Sequence, residues 1–82
     1  MTDTQIVDLI REALFEVAPK RKAEFASISM DTRIDALQLD SIATMEMVGF
    51  IEDRQSTTFE EDQLARVQTV GDLGRIIRSH AG

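Results

Sequence analysis

The chain has 82 residues, room for one small domain of a size that buries only about 60% of its unfolded surface. A net charge of −6 argues against nucleic acid and anionic membranes as partners, and the absence of cysteine excludes disulfides, thiolate metal sites and a protein-borne thiol nucleophile. The only aromatic residues are four phenylalanines, so aliphatic and methionine side chains must fill the core.

The opening MTDTQIVD has no basic start and no apolar run long enough for a signal peptide or a membrane span, so a free-standing cytoplasmic chain is expected. Ile6, Leu9, Ile10, Ala13, Leu14 and Val17 recur at the spacing of one buried helix face. Thr2-Asp3-Thr4-Gln5 places a capping box before this helix, and Pro19 marks its end. Phe15 lies on the side away from the stripe, where the pattern assigns it no partner. Residues 18–40 show no sustained period, and a connection that long must be functional or pinned to the core. Phe25, Ile28, Ile34, Leu37 and Leu39 are the candidate pins.

From Ser41 to about Arg54 the pattern is helical again. Thr44, Met47, Val48 and Ile51 form its inward stripe, and Asp40 or Ser41 supplies its cap. STTFEEDQLARV reads as a loop anchored by Phe59 and then a short helix that exposes Glu60, Glu61 and Asp62 and buries Leu64 and Val67. Thr69 opens the last helix with a T-x-x-D cap, and Val70, Leu73, Ile76 and Ile77 give its apolar side. The expected fold is all-α: a small bundle of three main helices plus one short helix, with a long loop between the first two main helices. One domain spans 1–82, with an ordered core over about 3–78 and a flexible tail over 79–82. No heptad seam or edge strand suggests self-association, so a monomer is expected.

Charge is concentrated along the chain. Residues 40–62 carry seven acids and one base, whereas residues 63–82 carry one acid and three bases. On the outward side of the second main helix, Ile42, Met45, Glu46, Gly49, Glu52 and Asp53 fall together. An apolar spot ringed by acids is a docking surface for a basic partner, or else Ile42 and Met45 tuck sideways onto the long loop. Ser41 is likewise open to two accounts: a plain helix cap, or a hydroxyl placed where free N–H groups and the helix dipole stabilise an attached anion.

Enzyme readings fare poorly. His80, the only histidine, falls in the expected tail, so a Ser-His-acid arrangement would have to order that segment. There is no glycine-rich phosphate loop and no zinc-ligand set. Asp31, Arg33 and Asp35 hint at a calcium loop, but Arg33 replaces an oxygen ligand and Ile42 stands where the closing glutamate belongs.

Leu37-Gln38-Leu39-Asp40-Ser41-Ile42 resembles the Leu-Gly-x-Asp-Ser-Leu signature of acyl carrier proteins, and the likeness extends over nearly the whole chain. The resemblance implies a non-enzymatic carrier with a 4′-phosphopantetheine arm, taken from coenzyme A by a separate phosphopantetheinyl transferase and attached to Ser41. By the same resemblance Asp40 assists recognition, while Ile42, Met45, Glu46, Glu52 and Asp53 meet basic docking patches on acyl-transferring, condensing or ligating enzymes. Met47, Phe59, Leu64 and Val67 become candidates for an acyl pocket, although core packing accounts for each of them equally well. The arm would import the thiol that a cysteine-free chain lacks, and hold acyl groups as thioesters for fatty-acid, lipid or polyketide-type biosynthesis.

The chain departs from the family pattern in several places. Gln38 replaces the signature glycine, Ala43 stands where fatty-acid carriers often have an acid, and Gly49 and Gln55 replace commonly apolar positions. These departures keep two alternatives open: a peptidyl or aminoacyl carrier of a specialised pathway, and an unmodified acidic helical adaptor.

Overall fold

The computed structural model describes residues 1–80. Its helices are α1 (Asp3–Val17), α2 (Lys22–Phe25), α3 (Ser41–Gln55), α4 (Glu61–Ala65) and α5 (Val70–His80), with 3₁₀ turns at Pro19–Arg21 and Asp35–Leu37. Among the described residues there is no strand, only an isolated antiparallel bridge between Arg33 and Thr69. The all-α expectation holds.

The first helix forms where its stripe requires. Ile6, Leu9, Ile10, Ala13 and Leu14 are buried, and each large aliphatic side chain contributes about 1.5–3 kcal/mol when fully removed from water. At its start Gln5 N donates to Thr2 Oγ1 at 3.2 Å while Thr2 N donates to Gln5 Oε1 at 2.9 Å, the reciprocal capping box. Phe15 is half-buried, with the Lys22 ammonium 5.5 Å from its ring centre.

The long connection is pinned at both ends. Phe25, Ile28 and Leu37 are buried, Ile34 and Leu39 are packed against the core, and Arg11 Nε donates to the Phe25 carbonyl at 3.2 Å. Further along, Ile34 N donates to Gln68 O (2.9 Å), Val70 N to Thr32 O (2.8 Å) and Gly71 N to Met30 O (2.7 Å), stitching residues 30–34 to the entry of α5. The approach is so close that a Cβ on Gly71 would lie 2.9 Å from Met30 O.

In α3, Met47 and Ile51 are buried, and Thr44 and Val48 are half-buried. The helix ends at Ser56, which takes a left-handed conformation (φ 53°, ψ 43°) and turns the chain back so that Phe59 enters the core. The short α4 has no fully buried residue and no side-chain cap at Glu60. Glu60, Glu61 and Asp62 are exposed, and Leu64 and Val67 are half-buried. Asp72 N donates to Thr69 Oγ1 at 3.1 Å, and Asp72 Oδ2 accepts from the N–H groups of Gln68 and Thr69, giving α5 its expected cap. These two N–H groups, then Arg75, hold the Asp72 carboxyl below the usual carboxylate range.

Ser79 and His80, expected in the tail, continue α5; the imidazole lies tilted by 60° to the Phe59 ring with ring centres 5.1 Å apart, and its Nδ1 lies 2.9 Å from Ile76 O. Ala81 and Gly82, the remainder of that expected tail, lie outside the described residues.

Candidate functional site

The chain reaches Ser41 through a constrained turn. After the 3₁₀ turn at Asp35–Leu37, Gln38 adopts φ 54° and ψ 45°, the left-handed region that favours glycine. The family signature's glycine is therefore a backbone requirement here, met by glutamine. Asp40 then takes an extended conformation, and its Oδ1 accepts the Ala43 N–H at 2.7 Å. The Asp40 carbonyl accepts both the Thr44 N–H (3.0 Å) and the Thr44 hydroxyl (2.9 Å).

This arrangement settles which residue caps α3. Asp40 is the cap, and Ser41 is the first helical residue, exposed to solvent. With Ala43 N satisfied by Asp40, the N–H groups of Ser41 and Ile42 have no acceptor within the helix. A phosphate on Ser41 Oγ would sit at the positive end of a 15-residue helix, beside those two unpaired donors, and the local chemistry fits such a group.

Of the six positions projected onto the outward face of α3, four are exposed, while Gly49 and Glu52 are half-buried. Ile42 is 70% exposed and Met45 73%, which answers whether they tuck onto the long loop: they do not. Glu46 and Asp53 are also exposed. Glu52 is placed otherwise. It is half-buried, and its Oε2 accepts the Phe59 N–H at 2.7 Å, fastening the loop that follows α3. The one base in this segment, Arg54, is drawn toward α1 by Glu12 (3.1 Å) and lies 5.1 Å from the Phe50 ring centre.

A groove of about 550 Å³ runs between α3 and α4, lined by Thr44, Met45, Val48, Glu52, Thr58, Phe59, Glu61, Leu64 and Ala65. A smaller hollow of about 120 Å³ shares Thr44, Val48 and Leu64 and is closed by Ile34, Met47, Val67 and Leu73. All four pocket candidates thus line one hollow or the other: Phe59 the outer, Met47 and Val67 the inner, Leu64 both. The pattern singled out Thr44 and Val48 only as inward-stripe residues, although they stand where the two hollows meet.

The described residues contain no group of three or more His, Cys, Asp or Glu side chains arranged to hold an ion. Arg33 instead forks onto Asp35, with both nitrogen–oxygen distances at 3.1 Å, and that hydrogen-bonded pairing holds the Asp35 carboxyl below its usual range. No described helix is long and apolar enough to cross a membrane.

Comparison with known proteins identifies the family. The family model described as "Phosphopantetheine attachment site" matches residues 4–77. An acyl carrier protein of Exiguobacterium sibiricum is 38% identical over 74 residues, which span 89% of this chain and 90% of the relative. An acyl carrier protein of another Exiguobacterium strain is 35% identical over the same shares. No solved structure matches at comparable stringency. By the matched family and both relatives, on an all-helical chain of this layout, the protein belongs to the acyl carrier protein family, as a carrier of covalent 4′-phosphopantetheine and not an enzyme.

Proposed function

We propose that Ser41 is the attachment point of the arm and that the chain carries acyl intermediates of fatty-acid, lipid or polyketide-type biosynthesis as a cytoplasmic monomer. The observation that carries this reading is the division of labour at the start of α3: Asp40 makes the cap, leaving the neighbouring hydroxyl exposed and free of that task. In the modification, Ser41 Oγ bonds to the pantetheine-bearing phosphorus of coenzyme A. The pyrophosphate P–O bond breaks, adenosine 3′,5′-bisphosphate leaves, and the serine proton passes to a base on the transferase. The attached arm supplies a terminal thiol that holds acyl groups as thioesters.

The chain's own residues then act around that arm. The free N–H groups of Ser41 and Ile42 would offer donors to the phosphodiester. Ile42 and Met45 give partner enzymes an apolar contact, and Glu46 and Asp53 attract the basic patches of the transferase and of acyl-transferring, condensing or ligating enzymes. Asp40 contributes to recognition by holding the helix mouth open to the transferase, and Glu52 by fixing the adjoining loop. The hollows bordered by Met47, Phe59, Leu64 and Val67 shelter an apolar chain.

The test is to incubate the apo protein with coenzyme A and a broad-specificity phosphopantetheinyl transferase and weigh the product. The wild type gains one arm and Ser41→Ala gains none. An equal gain on the alanine variant, or no gain on the wild type, overturns the assignment.

A further inference from the structure

We infer that Arg21 is a positioning residue for the modification of Ser41, because it holds the left-handed turn at Gln38 that delivers the serine to the helix mouth. The inference rests on the attachment reading above and adds a residue seventeen positions away from that turn.

The Arg21 guanidinium is itself fixed on two sides. Its Nε and one terminal nitrogen fork onto the Glu24 carboxylate at 2.9 and 3.1 Å, and its central carbon lies 5.0 Å from the ring centre of the fully buried Phe25. Only 28% of the side chain is exposed. Held in this way, it donates to two successive carbonyls, those of Leu37 and Gln38, the latter at 3.3 Å.

Those carbonyls bracket the strained residue. A glycine at this position would reach the left-handed region freely, whereas glutamine must be kept there by its surroundings. Leu37 is buried and Leu39 half-buried on either side, and Gln38 N donates to Asp35 O at 3.2 Å. These contacts tether the flanks, but Arg21 is the side chain that grips the turn itself from across the long connection. Asp40 and Ser41 follow immediately, so slack at Gln38 moves the cap and the hydroxyl together.

The experiment uses the apo protein with coenzyme A and a phosphopantetheinyl transferase, followed by intact mass. The variants are Arg21→Lys, Arg21→Ala, Gln38→Gly and the Arg21→Ala/Gln38→Gly pair. Amide NMR relaxation over residues 36–42 supplies a readout independent of the arm, and thermal melts confirm that each variant is folded.

In Arg21→Ala, kcat/KM for modification falls about tenfold, short of the ~100-fold that a 1 Å misplacement can cost. Order parameters at Gln38–Asp40 fall from about 0.85 toward 0.6. Arg21→Lys, which keeps the stem but loses the fork, lies between. Adding Gln38→Gly to Arg21→Ala recovers most of the rate, since glycine adopts the turn without a grip.

An unchanged rate in Arg21→Ala overturns the inference. So does a slow variant with unaltered order parameters, which would place Arg21 in direct contact with the transferase, or a loss from Arg21→Ala that is equal with and without Gln38→Gly. A wild type that accepts no arm overturns the attachment reading itself, and the positioning role falls with it.

Discussion

Asp40 has two candidate roles, the cap of α3 and a charge read by a basic transferase, and substitution at this one position separates them. Its Oδ1 accepts the Ala43 N–H at 2.7 Å, a short charge-assisted bond at the positive end of the helix. Asp40→Ala removes the cap, worth about 1 kcal/mol, and the favourable interaction with the helix dipole, worth about 0.3–1 kcal/mol. The expected loss is therefore about 1.5 kcal/mol, which for a domain of this size lowers the melting temperature by about 6–12 °C. Asp40→Asn keeps the capping oxygen and loses only the charge, so it costs about 0.5 kcal/mol, or about 2–4 °C.

Thermal melts by circular dichroism at neutral pH and low salt measure both variants, and the modification rate is read on the same samples. If Asp40 acts by shaping the helix start, asparagine retains most of the rate and alanine does not. Equal destabilisation by asparagine and alanine would refute the capping argument. Equal loss of rate, with stability split as worked above, would assign the residue to charge recognition.

Three further outcomes follow from individual contacts. Gly49 lies inside α3 with nothing within 4 Å of an added Cβ, so Gly49→Ala stabilises by about 1 kcal/mol and raises the melting temperature by about 4–8 °C. Gly71→Ala does the opposite, because its Cβ would press on the Met30 carbonyl to which Gly71 N is bonded; a loss of about 1–3 kcal/mol is expected in urea titration. Asp72 has a folded pKa below its ordinary value, so its contribution to stability is present above the usual carboxylate range and is lost as pH falls through the lowered value. Asp72→Asn, which keeps a capping oxygen, therefore loses stability relative to wild type at about pH 6, and the gap between their melting temperatures closes below about pH 4.

What the sequence made legible was whatever rests on local periodicity or on pairs a few residues apart. The stripe from Ile6 to Leu14 and the Thr2–Gln5 and Thr69–Asp72 boxes belong to that class, whereas the sequence left open whether Ile42 and Met45 are exposed or tucked onto the long loop. The four-residue α2 did not emerge, because so short a helix is held by Phe25 entering the core and by Arg11 on its last carbonyl, neither of which leaves a repeat. Glu52 was placed outward by projecting a lone helix, and only the return of the chain to Phe59 turns its carboxylate into a loop fastening. Gln38 was visible as a departure from the family signature, while its left-handed backbone and the grip of Arg21 depend on a contact between distant segments. His80 shows the same limit: nothing near it in the sequence announces a partner as far back as Phe59.

The short α4 forms one wall of the groove, yet it has no fully buried residue and no capped start, whereas the opposite wall is a long helix anchored by Met47 and Ile51. A helix of five residues has almost no stability of its own and depends on what it touches. This wall is therefore the least self-sufficient part of the bundle, and its amides should exchange with solvent faster than those of the three long helices.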